Sequence, residues 1–305
     1  MAMGAEFCLL GPLVVRCGGA PIPVPPGNQR AVLATLLLNA NHVVPLDDLA
    51  ESLWGSAPPP SARVTVQNYV LRLRKALAAT GPPRILTLPP GYMIKVAADE
   101  LDVSRFEALL TAARAAALDG SWDAAAGQAR AALSLWRGEP LADTGSDFLV
   151  VRETPRLAEM RLQAMEVRID ADLHLGRNAA VIAELQRLVD AHPLREHLHA
   201  LLMLALYRDG RRGEALAAYQ HARRVLIEEL GTEPGPGLRD LHQRILTADP
   251  TLAVPEPAQP AAGDPGPVVP WQLPGAVAHF GGRAAELATL TKLLDDTGQQ
   301  ALGQW

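Results

Sequence analysis

The chain has 305 residues, 49% of them hydrophobic and 20% charged. The length suggests two domains with connections, the composition is ordinary for a soluble globular protein, and the lack of a long apolar run excludes a membrane-spanning helix. The formal charge of −5 hides an asymmetry: residues 1–98 carry eight Lys and Arg against four Asp and Glu, and the rest carries twenty against twenty-nine. A basic third on an acidic body suits a polyanion reader with a separate regulatory body.

The first segment, residues 1–98, opens with strand-like alternation at Phe7, Leu9, Leu13 and Val15. A Gly18-Gly19 turn follows, then a return through Ile22 and Val24. Val32, Leu33, Leu36 and Leu37 at three-to-four spacing predict a helix. Leu46, Leu49, Leu53 and Trp54 predict a second, with Asp47 and Asp48 in its first turn. After the rigid break Gly55–Pro60, Ser61 is the expected N-cap of a third helix running to about Ala79. Two short strands, Ile85–Leu88 and Tyr92–Val96, are joined by Pro89-Pro90-Gly91. Strand hairpin, helices and terminal hairpin in that order resemble a winged helix-turn-helix of the response-regulator output (OmpR) type.

Residues 99–247 read as nearly all helix. Gly176-Arg177 and Gly210-Arg211 recur after 34 residues, the tetratricopeptide period, and Gly120-Ser121-Trp122-Asp123 reads as another inter-helix turn. Pro193 is expected to open the helix between the two glycine turns. Residues 248–274 hold eight prolines and read as an extended linker. Residues 275–305 offer one amphipathic stretch, Arg283 to Leu294, too short for a domain. The predicted fold class is therefore mainly α, with a small α+β N-terminal domain.

The third helix carries the functional expectation. With Val66 taken as inward, Ala62, Tyr69, Val70, Leu73 and Leu77 form the buried stripe. The opposite side presents Ser61, Val64, Thr65, Asn68, Arg72 and Lys75, flanked by Arg63, Gln67 and Arg74. Arginine can bond guanine bidentately, Asn or Gln can pair adenine, and Val64 and Thr65 can meet thymine methyls. The helix N-terminus favours phosphate. In the hairpin, Lys95 and Arg84 are expected to neutralise phosphates, which set register while base contacts specify. Tyr92 is expected to be a core residue under that hairpin. Arg30 is either a further backbone contact or a solvated surface charge.

Residues of other chemistries do not assemble. His192, His197 and His199 are two or more residues apart on a helix and do not share a face, so no metal site is expected. No phosphate loop or nucleophile signature appears, and no cofactor or enzymatic activity is expected. Cys8 and Cys17 are too few for a disulfide framework and are expected as buried thiols. No apolar run can span a bilayer and no secretion signal leads the chain, so it is expected in the cytoplasm, on the nucleoid.

Several motifs resemble the Streptomyces antibiotic regulatory protein family. They are Leu53-Trp54-Gly55, Pro58-Pro59, the run from Thr65 to Leu77, and Gly91-Tyr92. Further along come Leu101-Asp102, Phe106, Leu135 to Leu141, and Gly231 to Gly235. The likeness covers about residues 5–247, and the second half resembles the family's tetratricopeptide-like bacterial transcriptional activator domain. It implies an activator of secondary-metabolite (antibiotic) genes. Such an activator binds promoter direct repeats near the −35 element, commonly as two protomers, and recruits RNA polymerase holoenzyme with its sigma factor. Met93 departs from the family, which commonly places a basic residue there. Trp271 to Pro274 and Phe280 to Arg283 resemble the lead-in to the nucleotide-binding domain of larger members. The chain stops at Trp305, before any phosphate loop, so no nucleotide binding is expected of it. The alternative reading is a tetratricopeptide interaction scaffold whose N-terminal domain serves assembly.

Overall fold

The computed structural model describes residues 4–253, together with 285 and 288–292. The N-terminal strands β1 (Ala5–Cys8), β2 (Val14–Cys17) and β3 (Ala20–Ile22) form an antiparallel meander. Phe7 pairs with Val15, and Val15 with Ile22, so period-two alternation puts Phe7 and Val15 in the core. Three helices follow: α1 (Asn28–Leu38), α2 (Leu46–Trp54) and α3 (Ala62–Ala76). A second sheet takes β4 (Val44–Pro45), β5 (Ile85–Leu88) and β6 (Gly91–Ile94) in the order β4-β6-β5.

Strand β4 has no signal in the sequence, because two residues ahead of a helix show no periodicity. It is made possible by Gly91. A Cβ there would lie 1.9 Å from the Val44 carbonyl oxygen. We expect Gly91→Ala to break the β4–β6 pairing at a cost of roughly 3 kcal/mol or more. An unchanged urea midpoint for this variant would refute that assignment.

Ser61 stands at the start of α3, but its side chain caps nothing; the Ala62 amide donates to the Pro59 carbonyl instead. The helix ends at Ala76 and tightens into a 3-10 turn, Leu77–Thr80.

The helical body consists of α4 (Asp102–Leu118), α5 (Trp122–Ser134), α6 (Asp147–His174), α7 (Asn178–Ala191), α8 (Glu196–Arg208), α9 (Arg212–Leu230) and α10 (Pro236–Leu246). Consecutive helices pack as hairpins from α4 to α9, and α10 closes on α8 and α9. The repeated turn has a conformational cause: Gly176 and Gly210 sit at φ of 74° and 79°, where a side chain is strained. Pro193 does not open α8, which begins at Glu196. It lies in the turn, and its carbonyl accepts from His199 Nε2 at 2.8 Å. The ordered body also outlasts residue 247. Pro250–Leu252 form a 3-10 turn whose Leu252 packs into the core of α6–α10 and accepts from Arg208 Nε. The rest of the expected linker and nearly all of the tail lie outside the described residues.

The architecture changes near residue 98, but the packing does not stop there. Residues 1–255 form one compact unit. One hydrophobic core joins Phe7, Leu10, Leu36 and Leu49 to Phe106, Leu141, Leu149 and Leu157. Polar groups clamp the same seam. The Asp102 carboxylate accepts from the Leu9 amide at 2.8 Å and the Leu10 amide at 2.9 Å, with Arg137 3.7 Å away. Burial pushes that carboxyl up in pKa, against the pull of these donors. The Phe7 amide donates to the Glu100 carbonyl, and Ser146 donates to the Ser52 carbonyl at 2.6 Å.

Candidate nucleic-acid interface

Helix α3 buries Ala62, Val66, Val70 and Leu73, with Leu77 just beyond its end, against the N-terminal core. Tyr69 is half-buried at the edge of this stripe rather than within it. Ser61, Arg63, Val64, Gln67, Asn68, Arg72 and Lys75 are exposed, and Thr65 is half-buried. Leu71, the residue before Arg72, is also exposed. No acidic residue stands in the first turn of α3, whereas Arg74 and Lys75 occupy the last, where the helix dipole favours cations.

The basic residues divide by what holds them. Arg72 and Lys75 project from α3 and make no ion pair among the described residues. Arg63 Nη2 donates to both carboxylate oxygens of Asp47 of α2 at 2.9 Å, in an exposed pair that solvent screens. Arg74 is turned onto the hairpin: its Nε donates to the Ile85 carbonyl at 3.0 Å and Nη2 to Thr87 Oγ1 at 2.8 Å. Its guanidinium lies 5.7 Å from the centre of the Tyr92 ring. Tyr92 is buried under the hairpin, as the sequence predicts. The Arg74 side chain therefore braces the wing against α3 instead of pointing outward. Sequence spacing placed it on the flank and could not show which way it turns.

Arg84 was expected at phosphates and Arg30 either there or as a solvated surface charge, and the structure places both elsewhere. Arg84 donates to both oxygens of Glu100 at 2.7 Å. Burial acts to raise the Glu100 carboxyl, but the Arg84 hydrogen bonds, the Ala97 amide and the Arg84 charge together outweigh it and hold the group below the usual carboxylate range. Arg30 is ion-paired with Asp143 and also donates to the Val24 carbonyl. Both guanidinium groups are thus neutralised by carboxylates from beyond residue 98. Lys95 stays exposed just past β6. Between α3 and the wing, a hollow of about 250 Å³ is lined by Gln67, Thr87, Pro89, Pro90 and Tyr92.

The histidines do not gather. His192 and His197 are exposed while His199 is buried, and no group of three or more His, Cys, Asp or Glu among the described residues could hold a metal. No helix among them is long and apolar enough to cross a membrane. Cys8 is buried and free, and Cys17 Sγ donates to the Ala79 carbonyl.

A polar, cationic helix face beside a braced β-hairpin, followed by stacked helical hairpins, is the architecture of a winged-helix transcriptional regulator. Family models agree at both ends: residues 24–94 match the transcriptional regulatory protein C-terminal model, and residues 101–246 the bacterial transcriptional activator domain. The chain is 39% identical to regulatory protein DnrI of Streptomyces peucetius, over 84% of this chain and 97% of DnrI. It is 41% identical to regulatory protein AfsR of Streptomyces coelicolor over 98% of this chain, and spans 30% of that relative's length. A solved structure of Mycobacterium tuberculosis EmbR, in complex with a low-affinity phosphopeptide, superposes with a TM-score of 0.76 at 38% identity. That match covers 81% of this chain and 66% of the EmbR chain. The chain belongs to the Streptomyces antibiotic regulatory protein family, and its relatives are regulators, not enzymes.

Proposed function

We propose that this chain is a sequence-specific activator that lays α3 in the major groove of promoter DNA and rests its β5–β6 hairpin on the adjacent backbone. The observation that carries this reading is the outer face of α3, where amide, guanidinium and ammonium groups stand exposed while the inner face is fully packed. Ser61, Val64, Thr65, Gln67, Asn68 and Arg72 face the bases. Arg63, Lys75 and Lys95 serve the phosphates, whose neutralisation releases counterions and makes affinity fall with salt. Arg74 positions the wing, and Arg30 and Arg84 take no part.

Residues 1–98 read DNA and residues 99–247 make protein contacts. Activation comes from recruitment of RNA polymerase holoenzyme, including its sigma factor, with two protomers side by side on direct repeats near the −35 element. The targets are secondary-metabolite genes, and the protein works in the cytoplasm, on the nucleoid. Family membership supports these finer points. Footprinting with the purified chain on promoter fragments from its own genomic neighbourhood tests the reading, with transcription reconstituted on the same fragments. The expected result is protection of direct repeats, weakening linearly in log–log against salt, and more transcript with the protein than without. Retardation indifferent to DNA sequence would overturn it.

A further inference from the structure

We infer that Val64 and Leu71 are methyl readers, selecting thymine C5-methyl groups on either side of an adenine held by Asn68. This deepens the DNA-binding reading above and rests on it. With Val66 pointing inward and about 100° per residue, Val64, Asn68, Leu71 and Lys75 all fall within about 40° of the outward direction. They form a single line down the middle of the exposed face. Val64 is 60% exposed and Leu71 53% exposed, and neither belongs to a core cluster. Single exposed aliphatics are ordinary on protein surfaces. These two differ in being collinear, with an amide between them and Arg63, Arg72 and Lys75 around them.

That cationic border selects a polyanionic occupant and disfavours a basic protein surface. In the major groove of a duplex, the apolar features at base edges are the thymine methyls. The spacing also fits. Seven residues of helix rise about 10.5 Å, close to three base-pair steps of about 3.4 Å when the helix follows the groove. Asn68 stands between the two aliphatics and can bond adenine N6 and N7 together, a pairing that no other base edge offers. The face therefore reads A·T pairs across a window of about four base pairs, with Arg72 beyond it free for guanine.

The test starts with selection of bound sequences from a randomised duplex library by the full chain. The selected site is then rebuilt with 2′-deoxyuridine replacing each thymine in turn, which removes only the methyl group. We expect two positions, about three base pairs apart, where this substitution weakens wild-type binding about three- to fivefold. Val64→Ala should lose the penalty at one position and Leu71→Ala at the other. Both substitutions are on exposed side chains, so both variants should melt at the wild-type temperature. Specific binding with no uridine penalty, or the same penalty in both variants, would overturn the assignment while leaving the DNA-binding reading intact. A library from which no sequence is enriched would overturn both, and would point to a protein partner for this face.

Discussion

Residues 1–98 cut away from the helical body are expected to lose cooperative folding. In the intact chain the hydrophobic core of the reader is completed by Phe106, Leu141, Leu149 and Leu157, all of which come from beyond the cut. Helix α2 packs on α6, and β1 packs on α4. Burying a large apolar side chain contributes about 1.5–3 kcal/mol. Losing even part of four such contacts costs about 5 kcal/mol, comparable with the whole stability of a small domain. The Leu9 and Leu10 amides also lose their acceptor, the Asp102 carboxylate. The measurement is a far-UV circular dichroism melt of the excised segment beside the full chain. The expected trace is broad, with dye-binding apolar surface. A sharp transition within a few degrees of the intact protein would refute the claim of a shared core. Asp102→Asn in the full chain is the milder form of the same experiment, with an expected loss of about 2–3 kcal/mol because one buried amide keeps a weaker acceptor.

Substitution of Arg72 should weaken discrimination while leaving the fold untouched. Its side chain is exposed on α3 and makes no ion pair among the described residues, so Arg72→Ala is expected to melt like wild type. Removing a bidentate guanine contact costs about 1–3 kcal/mol, or roughly five- to 150-fold in affinity for the cognate site, with binding to unrelated DNA changing far less. Arg74→Ala separates the two kinds of arginine. It removes two hydrogen bonds to the hairpin and the contact over Tyr92, so both melting temperature and affinity should fall. Mobility shifts of both variants on cognate and scrambled duplexes decide between these roles. An Arg72→Ala protein with wild-type discrimination would remove Arg72 as a base reader.

Much of this molecule was legible in one dimension. Periodicity alone located α1, α2 and the buried stripe of α3, because those helices present one face to a core and need an apolar residue every third or fourth position. The two glycine turns 34 residues apart announced the helical hairpins, since glycine tolerates the positive φ that follows α6 and α8. Charge counting singled out the basic segment.

The features legible in this way are local: helix faces, turns, and which residue types lie on the outside of α3. Where each cation is held depends on the fold. Arg30 meets Asp143 and Arg84 meets Glu100, partners 113 and 16 residues away in sequence. Arg74 is held by a wing that forms only when β4, β5 and β6 come together. Periodicity cannot report such pairings, because a long flexible side chain takes its direction from whatever carboxylate or carbonyl the fold brings within reach. The same limit applies to domain boundaries. A change of pattern near residue 98 marks where strands give way to helices, but whether the core stops there depends on which buried faces meet, and here they meet across the seam.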